Sequence, residues 1–325
     1  MKDVSQASFN ELSRLWLHEP DDSAMAAAYT ELFLLNVHPY GTAFTDPSGE
    51  LNGPGAWEAA RRYEERGYRP PELFEVGAPD HVGLCLGFLE HLASRGEEDV
   101  EFSSSVLEWI PVCCLAVERE PSAHPFYRTV AALTRECCFS LSSRAPSLSS
   151  RAPSLSSRAE RGISGPSEES ADPGFPLSSR AERGISGHAA ESAASEAEEV
   201  GLSQIVRFLL APARSGLFLS RAKLGQVARA AEMGLPFGSR FDVASLLFQT
   251  AGESEKVGIV LDLLEEELAA WESAFRGWAV EHPGWVRSST RWLRRTGETR
   301  RLLGQMRESL RNPPELEYAG GQGGA

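Results

Sequence analysis

Several things are scarce in this 325-residue chain, and each scarcity removes a class of protein. Basic charge is in deficit: 32 Lys and Arg stand against 46 Asp and Glu, a net charge of −14. A protein that grips nucleic acid nonspecifically carries the opposite balance, so nucleic acid is not an expected partner. Five cysteines are too few to staple a chain this long, and the odd number leaves a thiol free. Cys113-Cys114 and Cys137-Cys138 are adjacent, not spaced by two residues as in zinc sites, and they suit small buried positions in a reducing compartment. No uninterrupted apolar run approaches about 18 residues, which predicts no membrane insertion. Met1 to Asn10 lacks a basic stretch followed by an apolar core, so a cytoplasmic protein without a secretory signal is expected.

Familiar chemistry is equally sparse. There is no phosphate-cradling loop ending in Gly-Lys-Ser/Thr, no spaced glycine triplet, no Gly-x-Ser-x-Gly turn and no His-Glu-x-x-His pair. His81 and Cys85 would share a helix face but lack a third ligand at helical spacing, so no metal site is assigned. Glu97-Glu98-Asp99 and Glu265-Glu266-Glu267 read as helix starts or solvated faces. The expectation is a non-enzyme without a cofactor.

Strict two-residue alternation and Asn-Gly or Asp-Gly hairpin signals are also missing, whereas apolar residues recur with helical spacing. The fold class is therefore all-α. Helices are expected over residues 24–37, from Asp80 to a stop at Gly96, over 100–117 with Pro111 as a kink or break, and over 126–137. Others follow at 203–210, 220–231, 241–249, 257–278 and 290–310. Trp271, Trp278, Trp285 and Trp292 recur every seven residues, interrupted by Pro283-Gly284, as expected of two helices packing their indoles into a core. Arg214-Ser215-Gly216 reads as an inter-helix turn.

One stretch breaks the pattern. Leu141-Ser-Ser-Arg-Ala-Pro-Ser147 recurs at 148–154, and the eleven residues from Leu155 to Gly165 recur unchanged at 177–187. Units so short and polar cannot bury a face, and Phe175 is the only aromatic among them, so residues 141–200 are expected to be a disordered insertion. This divides the chain into a helical domain at 1–140, the insertion at 141–200, a C-terminal helical domain at 201–311 and a flexible tail at 312–325. Charge follows the same division: residues 1–140 carry net −13, the insertion −3 and the remainder +2. An acid-rich first domain favours a cationic partner. Arg287, Arg291, Arg294, Arg295, Arg300 and Arg301 form a basic helix that could dock on that domain, on a partner or face solvent.

Pro79-Asp80-His81 is the most specific local feature. Proline fixes the chain entering a helix, Asp80 suits the N-cap, and His81 falls in the first turn with both ring nitrogens accessible. An ordinary cap followed by a surface histidine satisfies this pattern as well as a binding site does. Four elements in order make the chain similar to the TorD/DmsD/NarJ family of redox-enzyme maturation chaperones. They are Tyr29-Thr-Glu-Leu-Phe33 with Pro39-Tyr40, then Pro79-Asp80-His81 running into Val82 to Leu89, then Leu107-Glu-Trp-Ile-Pro111, and last His124-Pro-Phe-Tyr127 leading into Val130 to Leu133. Together they span most of residues 9–140, although Ala78 stands where many members carry an acid.

The resemblance implies an all-helical, non-catalytic, cytoplasmic chaperone. Its partner would be the catalytic subunit of a molybdopterin-containing oxidoreductase, or that subunit's twin-arginine signal peptide, held until the cofactor is inserted. Asp80 and His81 match the family's positions implicated in peptide binding. Physics is compatible: arginine prefers a planar carboxylate, which Asp80 supplies, and an apolar groove between helices would take the rest of such a peptide. Tyr29, Phe33, Trp109 and Tyr127 are candidates to line that groove, with plain core packing as the competing reading. The alternative function is a helical adaptor or regulator that has kept the fold and lost this client.

Overall fold

The computed structural model describes residues 8–144 and 192–312, apart from positions 19, 50, 71, 235 and 236. Most of the expected insertion, and the tail beyond 312, lie outside the described residues. Met1–Ala145 and Gly201–Ala325 form one compact unit, and Pro146–Val200 is a second. In the second unit, described residues begin only at Ser192, where a helix starts. The expected C-terminal domain at 201–311 therefore does not stand apart from residues 1–140; the two share a core.

Among the described residues the chain is all-α. Helix α1 (Phe9–Leu17) opens with a reciprocal cap between Ser8 and Glu11. Helix α2 (Ser23–Tyr29) is capped by Asp22 and passes directly into a π-helix at Thr30–Asn36. The periodicity that predicts one helix over 24–37 cannot distinguish that wider winding. Next come α3 (Gly41–Thr45), α4 (Pro54–Glu65, with proline at its start), α5 (Leu73–Val76), α6 (Val82–Ser94) and α7 (Val100–Arg119). Helix α8 (Pro125–Arg144) runs past the expected boundary at 140, because Leu141-Ser-Ser-Arg144 contains no breaker and Leu141 still packs on the core. After α9 (Ser192–Leu210) follow α10 (Pro212–Ser215), α11 (Arg221–Ala230), α12 (Arg240–Glu253) and α13 (Val257–Glu281). A 3₁₀ turn at Pro283–Trp285 leads into α14 (Val286–Arg311).

The chain turns tightly where α10 ends. Gly216 has φ 76°, and a Cβ there would lie 2.6 Å from the backbone nitrogen of Thr296, so only glycine fits between α10 and α14. Arg214 and Ser215 close α10 and Gly216 caps it, so the expected inter-helix turn begins only at Gly216, and the Ser215 carbonyl accepts from the Thr299 hydroxyl.

Helix α7 joins the two parts of the first unit. By length and composition it is long and apolar enough to cross a membrane, although Glu108 interrupts its apolar run as the run-length reading requires, and most of it is buried in the core. Pro111 lies inside it without breaking it. Proline has no N–H to give the carbonyl four residues back, which is that of Leu107. The indole N–H of Trp285 donates to that carbonyl at 2.8 Å, and Trp292 donates to the Glu108 carbonyl at 2.9 Å. The four tryptophans at seven-residue spacing surround Phe275, whose ring centroid lies 5.8 to 6.1 Å from each of theirs. A bidentate pair at 2.8 Å ties Arg119 of α7 to Glu267 of α13. Glu267 also receives Lys223 at 3.0 Å and the Trp271 indole at 2.8 Å. Its acidic run suggests a solvated face; instead it is buried, and three donors offset its desolvation.

Candidate functional site

The segment before α6 is pinned by backbone hydrogen bonds. The Gly41 N–H donates to the Asp80 carbonyl and the Val82 N–H to the Pro39 carbonyl, both at 2.9 Å, so Tyr40 and His81 form an isolated antiparallel bridge. This fixes the start of α3 against the start of α6. The caps follow from that placement and differ from expectation. His81 caps α6, its Nδ1 accepting from the Gly83 N–H at 3.1 Å. Asp80 instead reaches α3, where Oδ2 accepts the Thr42 N–H at 2.6 Å. Thr42 lies in a first turn whose own cap residue, Tyr40, offers no side-chain bond.

Both residues are interior: Asp80 is 4% exposed and His81 2%. The two accessible nitrogens expected of His81 are not both there: one is engaged, and the ring packs on Tyr40 at 5.1 Å. Burial pushes its pKa down to about 3, so the imidazole is neutral at physiological pH. Burial pushes the Asp80 carboxyl the other way, above its ordinary range, against the opposing effect of hydrogen bonding from Thr42.

Two consecutive residues line two different cavities. His81 bounds an aromatic cavity of about 400 Å³ shared with Leu17, His18, Tyr29, Phe33, Pro39 and Tyr40. Tyr127 stands behind it, 5.4 Å from Phe33 and 6.0 Å from Tyr29. The Tyr29 hydroxyl donates to the Trp16 carbonyl at 3.1 Å. Four candidate residues, His81, Tyr29, Phe33 and Tyr127, are thus gathered at one place, although Phe33 and Tyr127 are buried in the core and no open groove exposes them.

Trp109 is not with them. It lines a second cavity, of about 310 Å³, together with Asp80, Thr42, Glu58, Arg62, Glu101, Glu108 and Arg295. Gly41 allows this packing, since a Cβ there would lie 3.0 Å from the Trp109 ring. The walls are charged and nearly all neutralised. Arg62 donates to Glu58 at 2.7 Å, to Asp99 at 2.6 Å and to Glu101 at 2.6 Å. Arg61 and Arg62 together hold the Glu58 carboxyl down to about 2. Glu108 engages Arg291 and lies 3.7 Å from Arg295. Among the described residues on this wall, Asp80 alone is a carboxylate without a cationic partner. Its Oδ1, buried, has no hydrogen-bond partner.

Sequence reasoning did not find Thr42, Glu108 or Arg295 as neighbours of Asp80. Nothing local signals Thr42, and Arg295 is visible only as one of six arginines on a basic helix. Among the described residues no group of three or more His, Cys, Asp or Glu is arranged to hold a metal ion.

The described chain is thus all-helical, with a buried acid in the lining of a polar cavity whose other carboxylates are paired. Residues 3–114, about a third of the chain, match the family described as nitrate reductase delta subunit, so this part of the chain is similar to the NarJ/TorD type of chaperones, and three of the four ordered motifs lie inside the match. That family is non-catalytic and acts in molybdoenzyme maturation. No curated protein and no solved structure matches the chain.

Proposed function

We propose that this protein is a cytoplasmic assembly chaperone for the catalytic subunit of a nitrate-reductase-type molybdoenzyme, and that it binds a basic leader of twin-arginine character on that subunit at Asp80. One observation carries the reading: Asp80, 4% exposed, lines a cavity with its Oδ1 buried and without a close hydrogen-bond partner, while neighbouring acids on that wall are held by arginines. Such a group favours a donor cation, and a guanidinium supplies planar N–H groups that match it. Entry of that cation would restore the charged form that burial disfavours. Further residues of the same leader would lie against the cavity walled by His81, Tyr29 and Tyr40.

The test is binding of a synthetic peptide carrying two adjacent arginines and an apolar stretch, followed by fluorescence anisotropy on the full chain. Micromolar binding that weakens with salt, and weakens at least about ten-fold in Asp80→Asn, is expected. No binding to that peptide, or equal binding by the Asn variant, would reject the reading in favour of an adaptor without this client.

A further inference from the structure

A charged atom of the opposite kind also lacks a partner in the Asp80 cavity. Arg295 reaches the cavity from α14, far beyond the residues 3–114 that match the family. Its guanidinium lies over the Trp292 ring, 4.4 Å from the centroid, with Nη2 3.7 Å from Glu108. Glu108 is already engaged by Arg291. Nη1 of Arg295 is buried and donates to no described group. A guanidinium N–H kept from both water and acceptors is a deficit that an incoming acceptor removes.

The residues lining the cavity therefore include two unpartnered polar atoms of opposite kind: Asp80 Oδ1, an acceptor, and Nη1 of Arg295, a donor on a guanidinium whose charge Glu108 already faces. The Thr42 hydroxyl makes no close hydrogen bond either, although it lies near enough to the Asp80 carboxyl to favour its charged form; a hydroxyl both donates and accepts and so selects neither sign of ligand. A bare cation would meet the carboxylate and be repelled by the guanidinium, and a bare anion would meet the reverse. A ligand that joins a donor cation to a neutral acceptor satisfies both. An arginine within a peptide is such a ligand, with its guanidinium at one end and a backbone carbonyl at the other. The volume, about 310 Å³, stands at the small end for ligand pockets and suits one side chain with its adjoining backbone.

We infer that Arg295 is a specificity residue of the binding site, donating from Nη1 to a backbone carbonyl of the client arginine whose guanidinium Asp80 takes. The pocket thereby selects arginine held in a peptide over a free guanidinium. The C-terminal helix, which the family match does not reach, supplies half of the recognition. This inference rests on the reading of Asp80 given above.

The experiment compares the twin-arginine peptide with two backbone-ester versions, each weakening the carbonyl of one arginine as an acceptor. Wild type, Arg295→Leu, Arg295→Lys and Asp80→Asn are titrated as full chains. Expected results are a loss of about ten-fold for Arg295→Leu, with most of the affinity kept by Arg295→Lys, which retains a donor. One of the two esters should weaken wild-type binding several-fold while leaving Arg295→Leu unaffected, a coupling that a merely structural role would not produce. The ester comparison on wild type stands even if the Leu variant fails to fold. If Asp80→Asn weakens the parent peptide but neither ester weakens wild-type binding, Arg295 does not read the carbonyl and only this inference falls. If the parent peptide does not bind wild type, the reading of Asp80 falls and takes this one with it.

Discussion

Asp80 and His81 are joined by one peptide bond and yet belong to different environments. His81 faces an aromatic cavity with Nδ1 engaged by the Gly83 N–H and its ring neutral. Asp80 faces a charged cavity in which neighbouring acids are paired and its own Oδ1 is not. The contrast separates two jobs: the histidine completes the local fold, and the aspartate is left incomplete. Oδ2 serves α3 through Thr42, so the fold uses half of the carboxylate and leaves the other half available.

The largest effect that could sharpen this contrast lies in the shared core, which holds both cavities in place. Phe275→Ala, at the centre of the four tryptophans, should cost about 3–5 kcal/mol and lower the chemical-denaturation midpoint in one cooperative transition. Two separate transitions would show that residues 1–140 and 201–311 fold independently.

Acid titration of stability divides the neighbours next. His81 has its folded pKa lowered from 6.5 to about 3, so the unfolded chain binds a proton that the folded chain refuses. Stability should therefore fall as pH drops from 6.5 towards 3, by about 1.4 kcal/mol for each pH unit inside that window. Denaturation midpoints measured on the two sides of pH 6.5 should differ accordingly, and His81→Asn, which keeps an acceptor for Gly83, should flatten the slope. Asp80 acts with the opposite sign. Its folded pKa is raised, so the protein gains stability as pH falls through that raised value towards 3.8. Asp80→Asn, with an oxygen still able to accept from Thr42, should stabilise the unliganded chain by about 1 kcal/mol while weakening peptide binding. A variant that loses both stability and binding would mean that Asp80 is only a cap.

A smaller effect tests how the tryptophans reach α7. Trp285→Phe should cost about 1–2 kcal/mol by leaving the Leu107 carbonyl without its donor. In a Pro111→Ala background the same change should cost less, because alanine at that position supplies an N–H to that carbonyl; a double-mutant cycle measures the difference. Least affected should be a chain in which residues 146–191 are shortened by half. Loop-closure entropy changes by only about 0.6 kcal/mol for a two-fold change in length, so the melting temperature should hardly move.

The all-α class and most helix positions can be read from spacing alone, since apolar periodicity and caps are local. Leu141 to Arg144 escapes that reading because a polar repeat without a breaker can prolong a helix that already packs. The single core of residues 1–145 and 201–325 is not readable, although its parts are: the tryptophan stripe is plain in the sequence, while its acceptors on α7 lie about 180 residues earlier. Asp80 and His81 stand out for their spacing, but which of them caps α6 is decided by the bridge between Tyr40 and His81, a tertiary fact. Glu267 looks solvated for the same reason, because its three donors come partly from distant helices.

The vacancy that Pro111 leaves on the Leu107 carbonyl has a temporal consequence. A ribosome delivers α7 long before Trp285 emerges, so that acceptor stays open to water while well over a hundred further residues are made. Helix α7 is completed only once Trp285 has been made, which makes that segment a late fastener and a nascent chain truncated before it an unfinished product.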